Sequence, residues 1–92
     1  MTAPVVERQA KIVNPLGLHA RPAAQLVRLA ATFGSEIFFS KDGVEVNGKS
    51  IMGVMMLAAE CGSSIVIRAT GADAEQAVQA IADLVATGFG EM

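Results

Sequence analysis

Apolar and polar residues alternate along three stretches of the chain, a period typical of strands with one buried face. These stretches are residues 5–13, 36–46 and 64–70, and Asp42-Gly43 interrupts the second. Because that dipeptide favours the left-handed angles of a tight hairpin turn, the second stretch predicts two strands, residues 36–40 and 44–46. The pattern therefore predicts four strands, with these residues on their buried faces: Ala10, Ile12, Ile65, Ile67 and Ala69.

Between the strands, apolar residues recur at every third or fourth position, as they do on the buried side of a helix. The first such stretch covers residues 20–33, with Pro22 in its first turn and Gly34 as the expected C-cap. The second is a short helix over residues 51–59, for which Ser50 is a suitable N-cap and Gly62 the end.

A third helix is expected after Asp73, which with Gln76 three residues later resembles a capping box. The predicted order is then βαββαβα. Strands with one apolar face and three amphipathic helices predict an α+β, two-layer open-faced sandwich, in which a four-stranded antiparallel sheet carries all three helices on one face. At 92 residues, the chain (1–92) is expected to form a single domain.

Composition narrows the class of protein. No window has the roughly 18 uncharged apolar residues of a membrane span, and the N-terminus lacks the basic and apolar regions of a signal peptide. The single cysteine, Cys61, excludes an internal disulfide and a cysteine-based metal cluster. We therefore expect a cytoplasmic protein without membrane insertion, metal or cofactor.

Charge is distributed unevenly along the chain, whose net charge is −2. The first 50 residues carry six of the seven Lys and Arg residues but only four of the nine acids, so the half with the only histidine is mildly basic. That balance suits an acidic partner or a phosphate, although it is also ordinary for a solvated surface. Without Trp, Tyr or a basic cluster, the chain is not expected to bind nucleic acid.

The candidate chemistry lies at residues 16–24, where a loop meets the first helix. Gly17 allows a sharp turn, and Pro22 favours helical geometry three residues after His19. Near the helix start, unpaired N–H groups and the helix dipole favour an anion. A neutral imidazole has a free lone pair for attack on a phosphoryl donor, and Arg21 can reach the phosphoryl oxygens. A lone histidine at a helix start is more often only a surface residue, but the residues around His19 favour a role as a phosphoryl acceptor.

The segment Gly-Leu-His-Ala-Arg-Pro-Ala-Ala, residues 17–24, resembles the active-site signature of HPr, the histidine phosphocarrier of the bacterial phosphotransferase system. The likeness continues through residues 46–53. The resemblance implies that enzyme I, charged by phosphoenolpyruvate, phosphorylates His19 on Nδ1 and that the group then moves to an enzyme IIA domain. It also implies a carrier without independent turnover, in which Arg21 stabilises the phosphoryl group.

Residues 43–50 also match the Walker A pattern, but Val44-Glu45-Val46 alternates as a strand and the pattern needs a loop. We therefore expect Ser50 to be an N-cap and not part of a nucleotide site. The resemblance adds a regulatory role, because an ATP-dependent HPr kinase/phosphorylase modifies this serine in many members of the family.

The second helix has too many apolar residues for one buried face. If Val54 and Leu57 point inward, the remaining apolar side chains form a docking surface beside His19; the alternative is a loosely packed core filled by methionines. The predicted partner-binding residues are Ala20, Arg28, Ile51, Met52 and Met55.

Two alternatives to sugar transport stay open. The ending Thr-Gly-Phe-Gly-Glu, residues 87–91, resembles the nitrogen-related HPr variant, which indicates a regulatory phosphorelay. The second alternative is a purely regulatory binding protein of the same fold; regulators of this kind in the family lack the histidine, so the presence of His19 and Arg21 argues against it. A carrier that must expose its site to several partners is most simply a monomer.

Overall fold

The computed structural model describes residues 3–91, which form one antiparallel sheet, three α-helices and a short 3₁₀ turn. The elements are, in chain order, β1 (Val5–Lys11), α1 (Ala20–Ala30), β2 (Glu36–Lys41), β3 (Val44–Asn47), α2 (Ile51–Met56), β4 (Ser64–Thr70), α3 (Ala74–Ala86) and the 3₁₀ turn (Gly88–Gly90). The predicted βαββαβα order and the α+β sandwich are confirmed.

The strands lie in the order β1-β4-β2-β3, so β1 and β3 form the two edges of the sheet. All three pairings are antiparallel. The β2–β3 hairpin turns at Asp42 and Gly43, whose φ angles of 51° and 81° are left-handed, as the dipeptide predicted.

The core lies between the helices and one face of the sheet. On β4, Ile65, Ile67 and Ala69 are fully buried, while the residues between them are partly exposed on the other face. Ile12 is fully buried just beyond the end of β1, and Ala10 is half-buried at the sheet edge. The period-two pattern therefore identified the core face of the sheet.

Helix α1 ends three residues earlier than predicted, at Ala30 rather than at Phe33. Thr32 and Phe33 turn back on the helix end instead, and their N–H groups donate to the Leu29 and Ala30 carbonyls. Gly34 is consequently not a C-cap, and its N–H donates to the Asp73 carboxylate.

Helix α2 also ends early, at Met56 instead of continuing to Ala59 and ending at Gly62. Ala58 takes a left-handed φ of 48°, which breaks the helix. The Ala59 carbonyl then accepts a hydrogen bond from the Leu18 N–H at 2.9 Å. A tertiary contact with the loop before α1 therefore replaces the last helical turn.

The predicted capping box at Asp73 is wrong. Asp73 makes no side-chain hydrogen bond to its own helix. Its carboxylate accepts hydrogen bonds from the Ser35 hydroxyl, the Gly34 N–H and the Ser35 N–H. These bonds hold the pKa of Asp73 below its ordinary value, the Ser35 hydroxyl contributing most. Asp73 thus ties the loop after α1 to the loop before α3.

We expect Asp73→Asn to lower the midpoint of thermal unfolding near neutral pH, because an amide cannot accept all three hydrogen bonds as a charged carboxylate does. A lowered folded-state pKa stabilises the protein fully above the ordinary aspartate pKa of about 3.9 and loses that effect as pH falls through the lowered value. The difference from the wild type should therefore shrink in acid. Asp83→Asn is the control, because the Asp83 carboxylate accepts its hydrogen bond from Gln79 of its own helix. An equal loss in both variants would contradict the assignment.

None of the helices within residues 3–91 is long and apolar enough for a membrane crossing. Over the same residues, no three His, Cys, Asp or Glu side chains lie together as a ligand set for a metal ion.

Candidate active site

His19 is the N-cap of α1, as predicted, with an extended backbone (φ −76°, ψ −172°). Its side chain is 36% exposed and makes no capping hydrogen bond to the helix. The N–H groups of Ala20 and Arg21 lie in the first turn, where no carbonyl precedes them at helical spacing. Pro22 is buried and has no N–H to leave unpaired. The imidazole is therefore open to solvent beside free donors.

The loop that presents His19 depends on close backbone packing at Gly17. This residue has a left-handed φ of 68°, and a Cβ there would collide with the Ala59 carbonyl and lie 2.9 Å from Glu60 Cα. The neighbouring Leu18 is buried and donates to the same Ala59 carbonyl. Gly17 is thus required both by its backbone angle and by the space available.

The C-terminal segment returns to the site and contacts the imidazole. Glu91 Oε2 lies 2.7 Å from His19 Nε2, and its other oxygen accepts a hydrogen bond of 2.9 Å from Asn14 Nδ2. The 3₁₀ turn directs the segment there, with Phe89 buried and its carbonyl accepting from Gln25 of α1. The chain end and the start of α1 thereby form one site.

Two hydrogen bonds, one from Asn14 and one from the adjacent imidazole of His19, hold the pKa of the Glu91 carboxyl below its ordinary value. Glu91 is therefore a carboxylate that can only accept, so His19 Nε2 carries the hydrogen of the contact. In the neutral imidazole, this tautomer leaves the Nδ1 lone pair free. Nε2 therefore holds the hydrogen bond to Glu91, and Nδ1 is the nitrogen available as a nucleophile.

Sequence reasoning missed Asn14 and Glu91. Asn14 is fully buried, and its Nδ2 also donates to the Gly17 carbonyl at 2.8 Å. In the sequence, it was indistinguishable from a turn residue before Pro15. The one available indication for Glu91 was the preceding Gly-Phe-Gly, in which glycines permit the reversal of the chain.

Ser50 caps α2 as predicted, because its Oγ accepts a hydrogen bond of 3.1 Å from the Gly53 N–H. The Walker-like segment before it contains strand β3, which pairs with β2 along its whole length. Because those residues form a sheet edge, they do not make the loop of converging N–H groups that a nucleotide phosphate needs.

The apolar side chains of α2 divide as predicted. Val54 and Leu57 are buried, whereas Met52 is 73% exposed and Ile51 and Met55 are also exposed. The docking surface is defined here as Ala20, Arg21, Arg28, Ile51, Met52 and Met55, all of which are exposed on α1 and α2. Four further large apolar residues are exposed, none of which was predicted as part of this surface: Val5, Leu16, Val44 and Met56.

The model of one protein family, described as "PTS HPr component phosphorylation site", matches residues 6–87. The chain belongs to the HPr family of phosphotransferase-system phosphocarriers. The phosphocarrier protein HPr of Cupriavidus necator is 46% identical over 87 residues, which cover 95% of this chain and 98% of that protein.

Solved HPr-type structures agree with the fold. The crystal structure of HPr-C-His from Thermoanaerobacter tengcongensis superposes with a TM-score of 0.91 at 45% identity and covers 95% of this chain and 98% of that one. The crystal structure of Crh, the Bacillus subtilis catabolite repression containing protein, has a TM-score of 0.74 at 40% identity and covers 90% of this chain and 95% of its own. That Crh structure is described as a dimer with a swapped domain.

Proposed function

We propose that His19 accepts a phosphoryl group from phosphoenolpyruvate-charged enzyme I and passes it to an enzyme IIA-type acceptor. The observation that carries this proposal is the contact between Glu91 Oε2 and His19 Nε2, which leaves Nδ1 as the free nucleophile. The chain then acts as a carrier without independent turnover and without a cofactor, in the cytoplasm where its partners act.

The transfer needs one bond to break and one to form. The Nδ1 lone pair of His19 attacks the phosphorus carried by enzyme I, the bond between that phosphorus and enzyme I breaks, and a P–N bond to His19 forms. The new phosphoryl oxygens meet the Ala20 and Arg21 N–H groups at the start of α1, and the Arg21 guanidinium supplies a positive charge. Glu91 remains on Nε2 and offsets the positive charge that develops on the ring. The same steps in reverse deliver the group to the acceptor.

The relay is tested with ³²P-labelled phosphoenolpyruvate, a catalytic amount of enzyme I, this protein and purified enzyme IIA domains. Label that reaches an acceptor only when this protein is present supports the carrier role. Sugar-type and nitrogen-type acceptors are compared in parallel, because the 87–91 ending favours the nitrogen-related alternative. Label on the nitrogen-type acceptor alone identifies that regulatory relay, and label on neither, with an active HPr as control, contradicts the proposal.

Glu91→Gln is expected to slow phosphoryl transfer by about tenfold, because a neutral amide forms a weaker hydrogen bond with Nε2 than a carboxylate does. In the wild type, the contact between Glu91 and His19 should also lose its contribution to the free energy of unfolding in acid. Since the folded-state pKa of Glu91 is lowered, that contribution is complete above the ordinary glutamate pKa of about 4.3 and disappears as pH falls through the lowered value.

Transfer rates and the ¹⁵N shifts of the His19 ring test whether Glu91 positions the imidazole, with Glu75→Gln on α3 as the control. We expect a rise in the fraction of the Nδ1–H tautomer in Glu91→Gln and not in Glu75→Gln. An unchanged rate and tautomer would show that Glu91 does not position the ring.

We further propose that an HPr kinase/phosphorylase modifies Ser50 and that the added charge weakens docking of enzyme I. Ser50 lies at the start of α2, next to the exposed Ile51 and Met52 of the docking surface. A phosphate at a helix N-terminus is compatible with the helix dipole, so the domain can stay folded. The added negative charge then weakens the binding of enzyme I without unfolding the domain.

Ser50→Asp tests this effect, because aspartate preserves the cap and adds a negative charge. Ser50→Asn is the matched control, since it preserves the cap without the charge. We expect Ser50→Asp alone to accept phosphoryl groups from enzyme I more slowly, through a higher KM. Equal KM values for the two variants would contradict a role for charge at this position.

A further inference from the structure

We propose that a polar cleft at one end of the sheet binds a neutral, polyhydroxylated small molecule of the size of one or two sugar rings. The cleft has a volume of about 780 Å³, which is within the usual range for a small-molecule site. It lies between the β2–β3 hairpin and the segment that leads into β4. The proposal goes beyond the phosphocarrier function and does not depend on it.

The cleft exists because β2 and β4 separate at their ends. Their pairing stops at Ser40 and Val66, although β2 continues to Lys41 and β4 begins at Ser64. Within residues 3–91, the end of β2 then pairs only with β3, and the start of β4 pairs only with β1. The gap between the two strand ends is the cleft, which closes where Ser40 meets Val66.

The charged groups of the cleft are paired within the protein. Lys41 Nζ lies 2.9 Å from Asp42 Oδ2 on the hairpin and 3.8 Å from Glu60 Oε1 on the other side of the gap. Glu45 accepts a hydrogen bond of 2.7 Å from Arg68. A charged ligand would have to compete with these contacts, and an anion would also meet three carboxylates. The pairing of charges therefore favours a neutral ligand.

Three side chains of the cleft have hydrogen-bonding groups that the protein does not use. Within residues 3–91, the Gln9 amide and the Ser40 and Ser64 hydroxyls make no side-chain hydrogen bond, although all three line the cleft. The Ser63 hydroxyl, in contrast, donates to the Glu60 carbonyl at 2.6 Å. Amides and hydroxyls both donate and accept, whereas the neighbouring carboxylates only accept. A polyol also donates and accepts, so it can satisfy all of these groups.

The register of the sheet indicates the length of the ligand. Gln9, Val66, Ser40 and Glu45 lie opposite one another in a single row across the four strands. With strands about 4.8 Å apart, this row is about 14 Å long, which is enough for two linked sugar rings. Val66 is the one large apolar residue among the described residues of the lining, so the cleft offers little contact to an apolar ligand.

The cleft is separate from the transfer site. Its lining comes from the four strands, the hairpin turn and the loop before β4, whereas the docking surface lies on α1 and α2. A ligand in the cleft thus leaves His19 Nδ1 open to a phosphoryl donor. Failure of the relay and failure of ligand binding are therefore separate results.

Titration of the ¹⁵N-labelled full chain with glucose and with maltose, followed by ¹H–¹⁵N NMR, tests the binding. We expect saturable shifts of the amides of residues 40–45 and 63–66, with maltose bound more tightly than glucose. The dissociation constants should lie in the millimolar range, because hydrogen bonds to solvated groups give only a modest net free energy. Glucose 6-phosphate should bind more weakly than glucose by about tenfold, because its phosphate meets the carboxylates of the cleft.

Variants of the exposed lining test which groups hold the ligand. Gln9→Leu and Ser64→Ala should each weaken maltose binding by about fivefold, because each removes one hydrogen bond. Both residues are exposed, so the circular dichroism spectra should match that of the wild type. Thr70→Val is the control, because it removes a hydroxyl from the same face of β4 outside the cleft.

Three results would overturn the proposal. Shifts that rise linearly without saturation, or that spread evenly over the chain, would show that the sugars act only as cosolvents. An equal loss of binding in Thr70→Val and in Ser64→Ala would place the ligand outside the cleft. Tighter binding of glucose 6-phosphate, or of the polyamine spermidine, than of maltose would show that charge selects the ligand and not its hydroxyl groups.

Discussion

His19→Ala is expected to abolish phosphoryl transfer while the fold is preserved. His19 is the only histidine of the chain, so no second imidazole can replace it as acceptor. Its side chain is partly exposed, and within residues 3–91 its one side-chain hydrogen bond is the contact with Glu91. The measurement is intact mass after incubation with enzyme I and phosphoenolpyruvate.

The wild type should gain one acid-labile phosphoryl group and His19→Ala none. The circular dichroism spectrum of the variant should match that of the wild type, which separates loss of chemistry from loss of structure. No gain in either protein, with a competent enzyme I as control, would contradict the carrier role and leave a regulator modified at Ser50.

Gly17→Ala is expected to have the largest effect on stability. A left-handed conformation costs about 1–2 kcal/mol for a residue with a Cβ. The collision with the Ala59 carbonyl and the proximity of Glu60 Cα add to that cost, so we expect a loss above about 2 kcal/mol in the free energy of unfolding. Because the loop must move away from α2, the transfer rate should fall as well.

Gly43→Ala is the matched control for this loss. Gly43 has a similar positive φ of 81°, but a Cβ there would meet nothing within 4 Å. Denaturant unfolding of the two variants therefore separates the cost of the backbone angle from the cost of the contact. If both lose the same stability, the packing of Gly17 against Ala59 and Glu60 contributes nothing.

The features predicted correctly from the sequence are those determined by neighbouring residues. Alternation placed Ile65, Ile67 and Ala69 on the buried face, and Asp42-Gly43 specified its turn because few dipeptides tolerate left-handed angles. The capping role of Ser50 required only the Gly53 N–H three residues later. Such local preferences can be recognised in a single chain.

The errors arise where distant segments compete for the same groups. Asp73 was expected to cap its own helix, but its carboxylate instead accepts hydrogen bonds from the N–H groups and the hydroxyl of the loop after α1. The end of α2 is similar, because the Ala59 carbonyl is taken by Leu18. No local pattern contains these contacts, which join residues more than 35 positions apart.

The candidate site shows the same division. His19, Arg21 and Pro22 lie in one short segment and were recognised together. Glu91 lies 72 positions beyond His19, and its contact requires both the packing of Phe89 and the turn of the chain around it. The sequence therefore predicted the candidate nucleophile, while the carboxylate in contact with it became visible only in the structure.

The most direct test of the account is ¹H–¹⁵N and ³¹P NMR of the ¹⁵N-labelled protein before and after addition of phosphoenolpyruvate and a catalytic amount of enzyme I. Before addition, the His19 ring should carry its hydrogen on Nε2, with Nδ1 unprotonated. Afterwards, a single phosphorus signal should couple to Nδ1, and Nε2 should keep its hydrogen. A phosphoryl group on Nε2, or one on a hydroxyl with the imidazole unchanged, would contradict the assignment of Nδ1 as the nucleophile and of Glu91 as the residue that positions the ring.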